Sequence, residues 1–270
     1  MKSAKYLVLL VIVLALANCE NKPLEEKKVE EVVTSGREFY QLKVYTFDTE
    51  TQVAVTDAYL KEAYIPAVKK LGIESVGVFR QKITETDTLL KMYVLIPFTS
   101  MDELISIDGA LEKDQTYLAA GNAYINAAHD QTPYKRFESI IMQAFEEMPM
   151  MQASPVEGDR SARVYELRSY ESATEKLYKN KVDMFNAGGE VKLFDRLGFN
   201  AVFYGEVISG SKMPNLMYMT TFSNQAKRDS LWNEFFTAPE WEILKADPKY
   251  QKNVSHADKI FLYPTEYSDY

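Results

Sequence analysis

The sequence has little of what several common binding chemistries require. It contains a single cysteine and two histidines, His129 and His256. A structural zinc site needs four nitrogen or sulfur ligands, so this composition excludes one. A lone cysteine also excludes a disulfide within the chain. The net charge is −8 and no lysine or arginine cluster provides the positive surface that nucleic acids need, so we expect no nucleic-acid partner.

Linear catalytic signatures are missing as well. There is no Gly-x-Ser-x-Gly motif and no serine, histidine and aspartate set that would indicate an activated nucleophile. The pair Gly188-Gly189 is followed by Glu190, whose charge would repel a phosphate at that turn. These absences disfavour serine hydrolases and nucleotide-binding enzymes, and they leave open whether the protein is an enzyme at all.

No apolar run is long enough for a permanent membrane helix. The longest, Tyr6 to Ala17, is shorter than the roughly 20 residues that a bilayer requires. It follows Lys2 and Lys5, and a short apolar run after a basic start is typical of a signal peptide. The run ends in Leu-Ala-Asn-Cys at 16–19, which resembles a lipobox except for the asparagine. We predict a lipoprotein signal peptide over residues 1–18; the alternative is an ordinary secretory peptide with an incidental cysteine.

Lipidation of Cys19 would remove the free thiol and attach the protein to a membrane. Residues 19–36 are charged and lack aromatic side chains, which favours a flexible tether. We therefore predict a lipid-anchored protein of the cell envelope, on the periplasmic face or the cell surface. Cys19 would be its only membrane contact, because the acidic balance disfavours a patch for anionic lipids.

Segments about 125 residues apart resemble each other, which indicates an internal duplication. The matching blocks are Phe39–Tyr45 with Val164–Tyr170, Leu71–Ile73 with Leu197–Phe199, and Leu90–Tyr93 with Leu216–Tyr218. The offset is 125 from Tyr40 to Tyr165, 126 from Gly72 to Gly198, and 125 from Tyr93 to Tyr218. Chance would not hold one offset across three separated blocks. His129 and His256 also take corresponding places in this alignment, shortly before the last strand of each copy.

Hydrophobic periodicity predicts the same order of elements in both copies. Strands are predicted near 38–47, 74–82, 88–97 and 134–145, and again near 163–170, 199–208, 215–222 and 257–263. Helices are predicted near 52–71, 100–112 and 114–128, and again near 172–197 with a break at 188–189, 223–236 and 238–246. The order β-α-β-β-α-β is the ferredoxin-like unit. Each unit leaves one sheet face uncovered, so we predict an α+β fold in which two tandem units close face to face into an eight-stranded barrel.

The second copy resembles the NIPSNAP family of the dimeric α+β barrel superfamily. The residues that carry the resemblance are Arg163–Tyr170, Lys181–Asn186, Leu197–Asn200, Met213–Met219, Ala238–Trp241 and Leu262–Ser268. The resemblance divides the chain into a diverged unit at 37–146, a linker at 147–162 and a NIPSNAP domain at 163–270. The first unit lacks the Met-Pro-Asn and Pro-Glu-Trp motifs, so a functional site is expected on one side only. The resemblance implies the fold and no particular reaction.

Candidate pocket residues all come from the second copy: Arg168, Tyr170, Asn186, Glu190, Glu206 and Trp241. Arg168 and Tyr170 share a strand face, where an arginine can bind a carboxylate bidentately or simply face solvent. The carboxylates of Glu190 and Glu206 have two interpretations. Either one of them acts as a general base in an apolar cavity, or both are structural groups at a turn. Trp232 and Trp241 are core anchors or pocket walls. We expect no metal and no cofactor. His256 has two interpretations: it is a polar residue at the start of a strand, or, as the resemblance to a superfamily that includes haem enzymes implies, a ligand of haem iron.

The leading functional hypothesis is a module of undetermined activity. It would bind a small organic ligand or a protein partner at the cavity or interface between the two repeats. The alternative is a cofactor-free enzyme of the same superfamily, acting as an isomerase or a monooxygenase. A homo-oligomer formed through the outer helices is a third possibility.

Overall fold

The computed structural model describes residues 36–82 and 90–270. The predicted signal peptide, Cys19, the tether up to residue 35 and the turn at 84–87 lie outside the described residues. Within the described ranges, no helix combines the length and the apolar character that a membrane crossing would need. The described residues belong to one unit, Ser35–Tyr270.

Eight strands form in the predicted order. They are β1 (Phe39–Phe47), β2 (Gly77–Gln81), β3 (Leu90–Phe98), β4 (Arg136–Ala144), β5 (Val164–Glu171), β6 (Ala201–Ser209), β7 (Asn215–Phe222) and β8 (His256–Pro264). Each strand overlaps its predicted range, because alternating apolar residues reveal a strand that buries one face more fully than the other.

The helices also follow the predicted order. They are α1 (Glu50–Tyr59), α2 (Ile65–Lys70), α3 (Met101–Leu111), α4 (Gln115–Ala120), α5 (Asn122–Ile125), α6 (Glu175–Phe185), α7 (Glu190–Leu197), α8 (Gln225–Thr237) and α9 (Pro239–Ala246). A π-helical turn, Leu60–Tyr64, joins α1 to α2 just before Pro66, whose missing N–H prevents a regular helical bond there.

The helix caps repeat between the two units. Thr49 and Thr174 accept backbone N–H bonds at the starts of α1 and α6, and Ser100 and Asn224 do the same for α3 and α8. Each such cap typically stabilises a helix by about 1 kcal/mol. The shared cap positions therefore support the duplication independently of the apolar pattern.

The strands close into one barrel in the order β1-β3-β2-β8-β5-β7-β6-β4, and every pairing is antiparallel. Each unit contributes four consecutive strands, β4-β1-β3-β2 and β8-β5-β7-β6. The two seams between the units are β2 with β8 and β4 with β6. This arrangement confirms the predicted barrel of two tandem ferredoxin-like units.

Apolar side chains fill most of the barrel interior. The fully buried rings of Tyr40, Phe79, Tyr165 and Phe203 pack there with aliphatic residues from both units. Two further cores lie outside the barrel, each between the sheet and the helices of one unit. The interior therefore stabilises the association of the two units, and the space for a ligand lies at its open end or outside it.

Two details of the predicted repeat alignment are wrong. Tyr93 faces the barrel interior, whereas Tyr218 faces the helices, so the structural counterpart of Tyr93 is Met217. The strand pairing shows the correct equivalence. Tyr45 and Tyr170 are equivalent, and they pair with Met92 and Leu216, so the next residues, Tyr93 and Met217, are equivalent too.

The second error concerns the two histidines. His256 begins β8, and its counterpart at the start of β4 is Arg136. The registers establish this equivalence, because Thr46 pairs with Arg136 and Glu171 pairs with His256. His129 lies in the loop before β4 and has no strand position. The loops before β4 and β8 differ in length, so the two histidines look equivalent in the sequence although their positions in the fold differ.

Candidate functional site

Arg168 and Tyr170 lie on the helix-facing side of β5, opposite Tyr165 and Leu167, which point into the barrel. The prediction that they share a strand face is correct. The expectation that they line a cavity between the two repeats is wrong, because apolar side chains occupy that part of the barrel. The alternative of a solvent-facing arginine is also wrong, since Arg168 is only 7% exposed.

A cavity of about 320 Å³ opens between this face of β5 and the helices of the second unit. Its charged and hydrogen-bonding lining consists of Arg168, Tyr170, Lys181, Glu190, Asn253 and, at the entrance, Lys245 and Gln251. Its apolar lining includes Met184, Trp232, Phe235, Phe236 and Trp241. A concave apolar site with a few convergent polar groups is the usual form of a small-molecule pocket.

The break between α6 and α7 places Glu190 in this cavity. Gly189 has a φ of +87°, a left-handed conformation that glycine adopts readily, and it redirects the chain so that α7 begins at Glu190. A carboxylate is favoured at a helix N-terminus by the helix dipole. Glu190 Oε2 lies 2.7 Å from Lys181 Nζ, and both residues are at least 95% buried.

Glu166 anchors a second buried group of charges. Its carboxylate is fully buried and accepts hydrogen bonds from Arg168 Nη1 at 2.9 Å and from Arg228 Nε at 2.7 Å. Trp232 Nε1 donates a further bond at 2.9 Å. One carboxylate thus serves two guanidinium groups, and Arg228 has a second carboxylate partner in Asp229, at 2.9 Å.

Arg168 remains charged in this setting. Burial by itself would lower its pKa, but Tyr218, Tyr170 and Glu166 outweigh that effect and hold the pKa above its ordinary value. The guanidinium carbon lies 4.3 Å from the centre of the Trp232 ring, a cation–π distance. Arg168 Nε is buried without a hydrogen-bond partner among the described residues.

Taken with Lys181 and Glu190, three cations and three carboxylates gather beside the cavity, so their formal charges balance. Tyr170 adds a neutral donor, because burial raises the pKa of its hydroxyl more than Arg168 lowers it. Its oxygen lies 3.0 Å from the Tyr218 hydroxyl. Burying charges is costly, so a concentration of them beside a cavity makes it a candidate functional site.

The other three predicted residues have different places. Trp241 lines the cavity and packs on Phe235, with ring centres 4.6 Å apart. Asn186 lies outside the cavity and accepts a bond from the Glu147 amide, which holds the linker against α6. Glu206 also lies outside it and pairs with Arg37 at 2.6 Å.

Sequence reasoning missed three residues of the site, Glu166, Lys181 and Arg228, whereas it interpreted Trp232 as a core anchor or a pocket wall. The period of two on β5 could have found Glu166, which shares a face with Arg168. No comparable signal exists for Lys181 or Arg228, because helices distant in sequence bring them to the cavity.

The first unit has no such charge group at the equivalent place. There Gln41, Lys43 and Tyr45 stand where the second unit has Glu166, Arg168 and Tyr170. Tyrosine rings occupy the space beneath its helices, with Tyr59 and Tyr124 stacked at 3.8 Å. This outcome agrees with the expectation of a one-sided site.

His256 does not reach the cavity. It is exposed at the start of β8, with Nε2 2.9 Å from Asp258 Oδ1. Glu171, His256 and Asp258 could together hold a metal ion by spacing. Lys212 Nζ, however, lies 2.5 Å from Asp258 and 3.7 Å from Glu171, so a lysine already supplies the positive charge. This placement matches the interpretation of His256 as a polar residue at a strand start.

Comparison with known proteins supports the fold. Residues 165–269 match the sequence profile of the NIPSNAP family. Similar solved structures include a NIPSNAP family protein from Agrobacterium tumefaciens, at 15% identity and a TM-score of 0.36, which covers 43% of this chain and 98% of its own. No curated protein sequence matches the chain.

Two proposed monooxygenases resemble the whole barrel. The structure from Fusobacterium nucleatum has 8% identity and a TM-score of 0.53, covering 85% of this chain and 93% of its own. The structure from Lactobacillus acidophilus has 11% identity and a TM-score of 0.51, covering 84% and 94%. At these identities the likeness extends to the fold alone.

Proposed function

Residues 165–269 belong to the NIPSNAP family, and from that premise we propose that the helix-covered cavity of this region binds a small organic anion. The observation that carries the proposal is the buried guanidinium of Arg168 beside the apolar walls. Among the described residues its one carboxylate partner is Glu166, which also serves Arg228, and its Nε has no hydrogen-bond partner. A ligand carboxylate would give Arg168 a partner that it does not share.

The walls indicate the rest of the ligand. Trp232, Trp241 and Phe235 give an aromatic surface on one side of the cavity, with the Phe235 ring inclined by 71° to Trp232 and by 39° to Trp241. A cavity of about 320 Å³ is small among ligand sites, which usually measure roughly 300–1,000 Å³. An aromatic carboxylate of one or two rings fits both the charge and the size.

Calorimetric titration with 2-naphthoate tests this proposal. Arg168→Met is expected to weaken binding at least tenfold, since a charge-assisted hydrogen bond contributes roughly 1.5–3 kcal/mol. Glu166 keeps its bonds to Arg228 and Trp232 in this variant, so the fold should persist. Trp241→Ala should also weaken binding by removing a wall without breaking a polar network.

The matched control is Lys43→Met, which removes a cation at the equivalent place in the first unit. This variant should leave the affinity for 2-naphthoate within twofold of the unmodified protein. Absence of naphthoate binding to the unmodified protein, or equal weakening by the two variants, would contradict the proposed site.

The enzyme alternative has one observation in its favour. Tyr170 and the buried Lys181–Glu190 pair provide proton donors and a carboxylate within one cavity, as proton transfer without a cofactor requires. Turnover of a bound aromatic carboxylate that is lost in Tyr170→Phe, with binding retained, would support catalysis. Binding without any turnover would leave the cavity a binding site.

We also propose a location in the cell envelope through lipidation of Cys19, on the strength of the lipobox-like sequence. Cys19→Ala should move the protein from the membrane fraction to the soluble fraction of cells. Unchanged membrane retention would show that the anchor is something else.

A further inference from the structure

We propose that the open end of the barrel is a second binding site, for an aliphatic carboxylate of medium chain length. A separate cavity of about 310 Å³ lies there, near the end of β1 and on the opposite face of the sheet from the site above. Its apolar floor consists of Val44, Tyr93, Ile140, Val207, Met217 and Ile260, which belong to both units. The proposed function does not involve these residues.

The duplication places two equivalent rows of side chains across this opening. In the first unit, Thr46 pairs with Lys91 on one side and with Arg136 on the other. In the second unit, Glu171 pairs with Asn215 and with His256 at the same positions. One row has therefore become cationic and lines the cavity with all three of its side chains, while the other row carries a carboxylate, Glu171, and lines the cavity through Asn215.

The acidic row already has its counter-charges. Lys212 Nζ lies 2.5 Å from Asp258, and His256 contacts the same carboxylate at 2.9 Å. The cationic row has none: neither Lys91 nor Arg136 forms an ion pair with any residue in 36–82 or 90–270. Glu138, the acidic residue of the lining nearest to Arg136 in sequence, accepts a hydrogen bond from Ser211.

This arrangement recognises both the charged end and the apolar end of the ligand. Two cations on one rim, which form no ion pair with the described residues, attract a carboxylate. The floor beneath them is mostly aliphatic, methionine and tyrosine surface, with the buried polar side chains of Ser169 and Asn215 among it. The walls lack the tryptophans that line the helix-covered cavity. A single chain of eight to ten carbons with a terminal carboxylate matches about 310 Å³, near the lower limit for ligand sites, and a two-chain lipid is too large.

The experiment compares decanoate with decanol, which has the same chain and no charge. Calorimetry on the unmodified protein should show decanoate binding at least tenfold more tightly than decanol. The double variant Lys91→Gln, Arg136→Gln should lose at least tenfold in decanoate affinity and keep its weak affinity for decanol. Both residues lie at the rim, so thermal unfolding should be unchanged and should confirm the fold.

Two controls separate this site from the rest of the molecule. Lys135→Gln removes a positive charge next to Arg136 in sequence, but its side chain pairs with Asp48, so decanoate binding should stay within twofold. Arg168→Met should also leave decanoate binding unchanged while it weakens naphthoate binding. The proposal is overturned if decanoate does not bind, if the double variant binds it normally, or if Arg168→Met abolishes its binding.

Discussion

Replacing Glu166 with alanine is expected to lower the free energy of unfolding by about 3–5 kcal/mol, the usual cost of breaking a buried ion pair. Glu166 is fully buried and holds Arg168 and Arg228 together. Its removal leaves the Arg168 guanidinium and the Trp232 N–H without their acceptor, while Arg228 keeps its bond to Asp229. Chemical denaturation followed by tryptophan fluorescence and circular dichroism measures the loss.

The matched control is Gln41→Ala, because Gln41 takes the place of Glu166 in the first unit and bonds only to Ser139 on the surface. Its effect should stay within about 0.5 kcal/mol, as for most surface substitutions. A Glu166→Ala variant as stable as this control would mean that the buried charge group does not form. That result would also contradict the proposed anion site.

Replacing Phe79 with alanine is expected to cost about 3–5 kcal/mol, as for other large buried aromatic side chains. Phe79 belongs to the first unit and is fully buried in the barrel interior. Its ring centre lies 5.0 Å from that of Tyr165, which belongs to the second unit. The substitution therefore tests packing between the two units, with the midpoint of urea unfolding as the measurement.

Phe236→Ala provides the comparison, since this ring is 51% exposed and belongs to the second unit alone. It should cost far less than Phe79→Ala. If the two variants lose equal stability, or if Phe79→Ala is neutral, the barrel interior is not the joint core of the two units.

The sequence predicted the fold well because its signals are local and occur twice. Alternating apolar residues locate the strands, and helix caps such as Thr49 and Thr174 recur at equivalent positions. The barrel followed from a simple requirement, that each unit must bury its uncovered sheet face. No long-range contact had to be known for that step.

The site was harder to predict because it depends on which face of β5 has room for a ligand. The alternation of side chains along a strand correctly placed Arg168 and Tyr170 on one face. It does not show whether the barrel side or the helix side of the sheet is filled by other side chains. The rings of Phe79 and Phe203 fill the barrel, and the break before Glu190 opens the helix side. Packing volume decides this choice, and it is a property of the whole fold.

The same limit explains the alignment error at Tyr93. Matching tyrosine to tyrosine gave an offset that differs by one residue from the strand register, and one residue turns a side chain to the other face of a sheet. Residue identity is therefore a weaker guide to equivalence within a diverged repeat than the pairing of its strands.

Amide hydrogen exchange at the two seams tests most directly whether the units close one barrel. The amide of Lys82 donates to Phe261 across one seam at 2.9 Å, and that of Phe145 donates to Tyr204 across the other at 3.0 Å. We predict that both exchange as slowly as amides within β1 and β5, since all would open only on global unfolding. Rapid exchange at either seam, with the strands inside each unit still protected, would contradict the closed barrel.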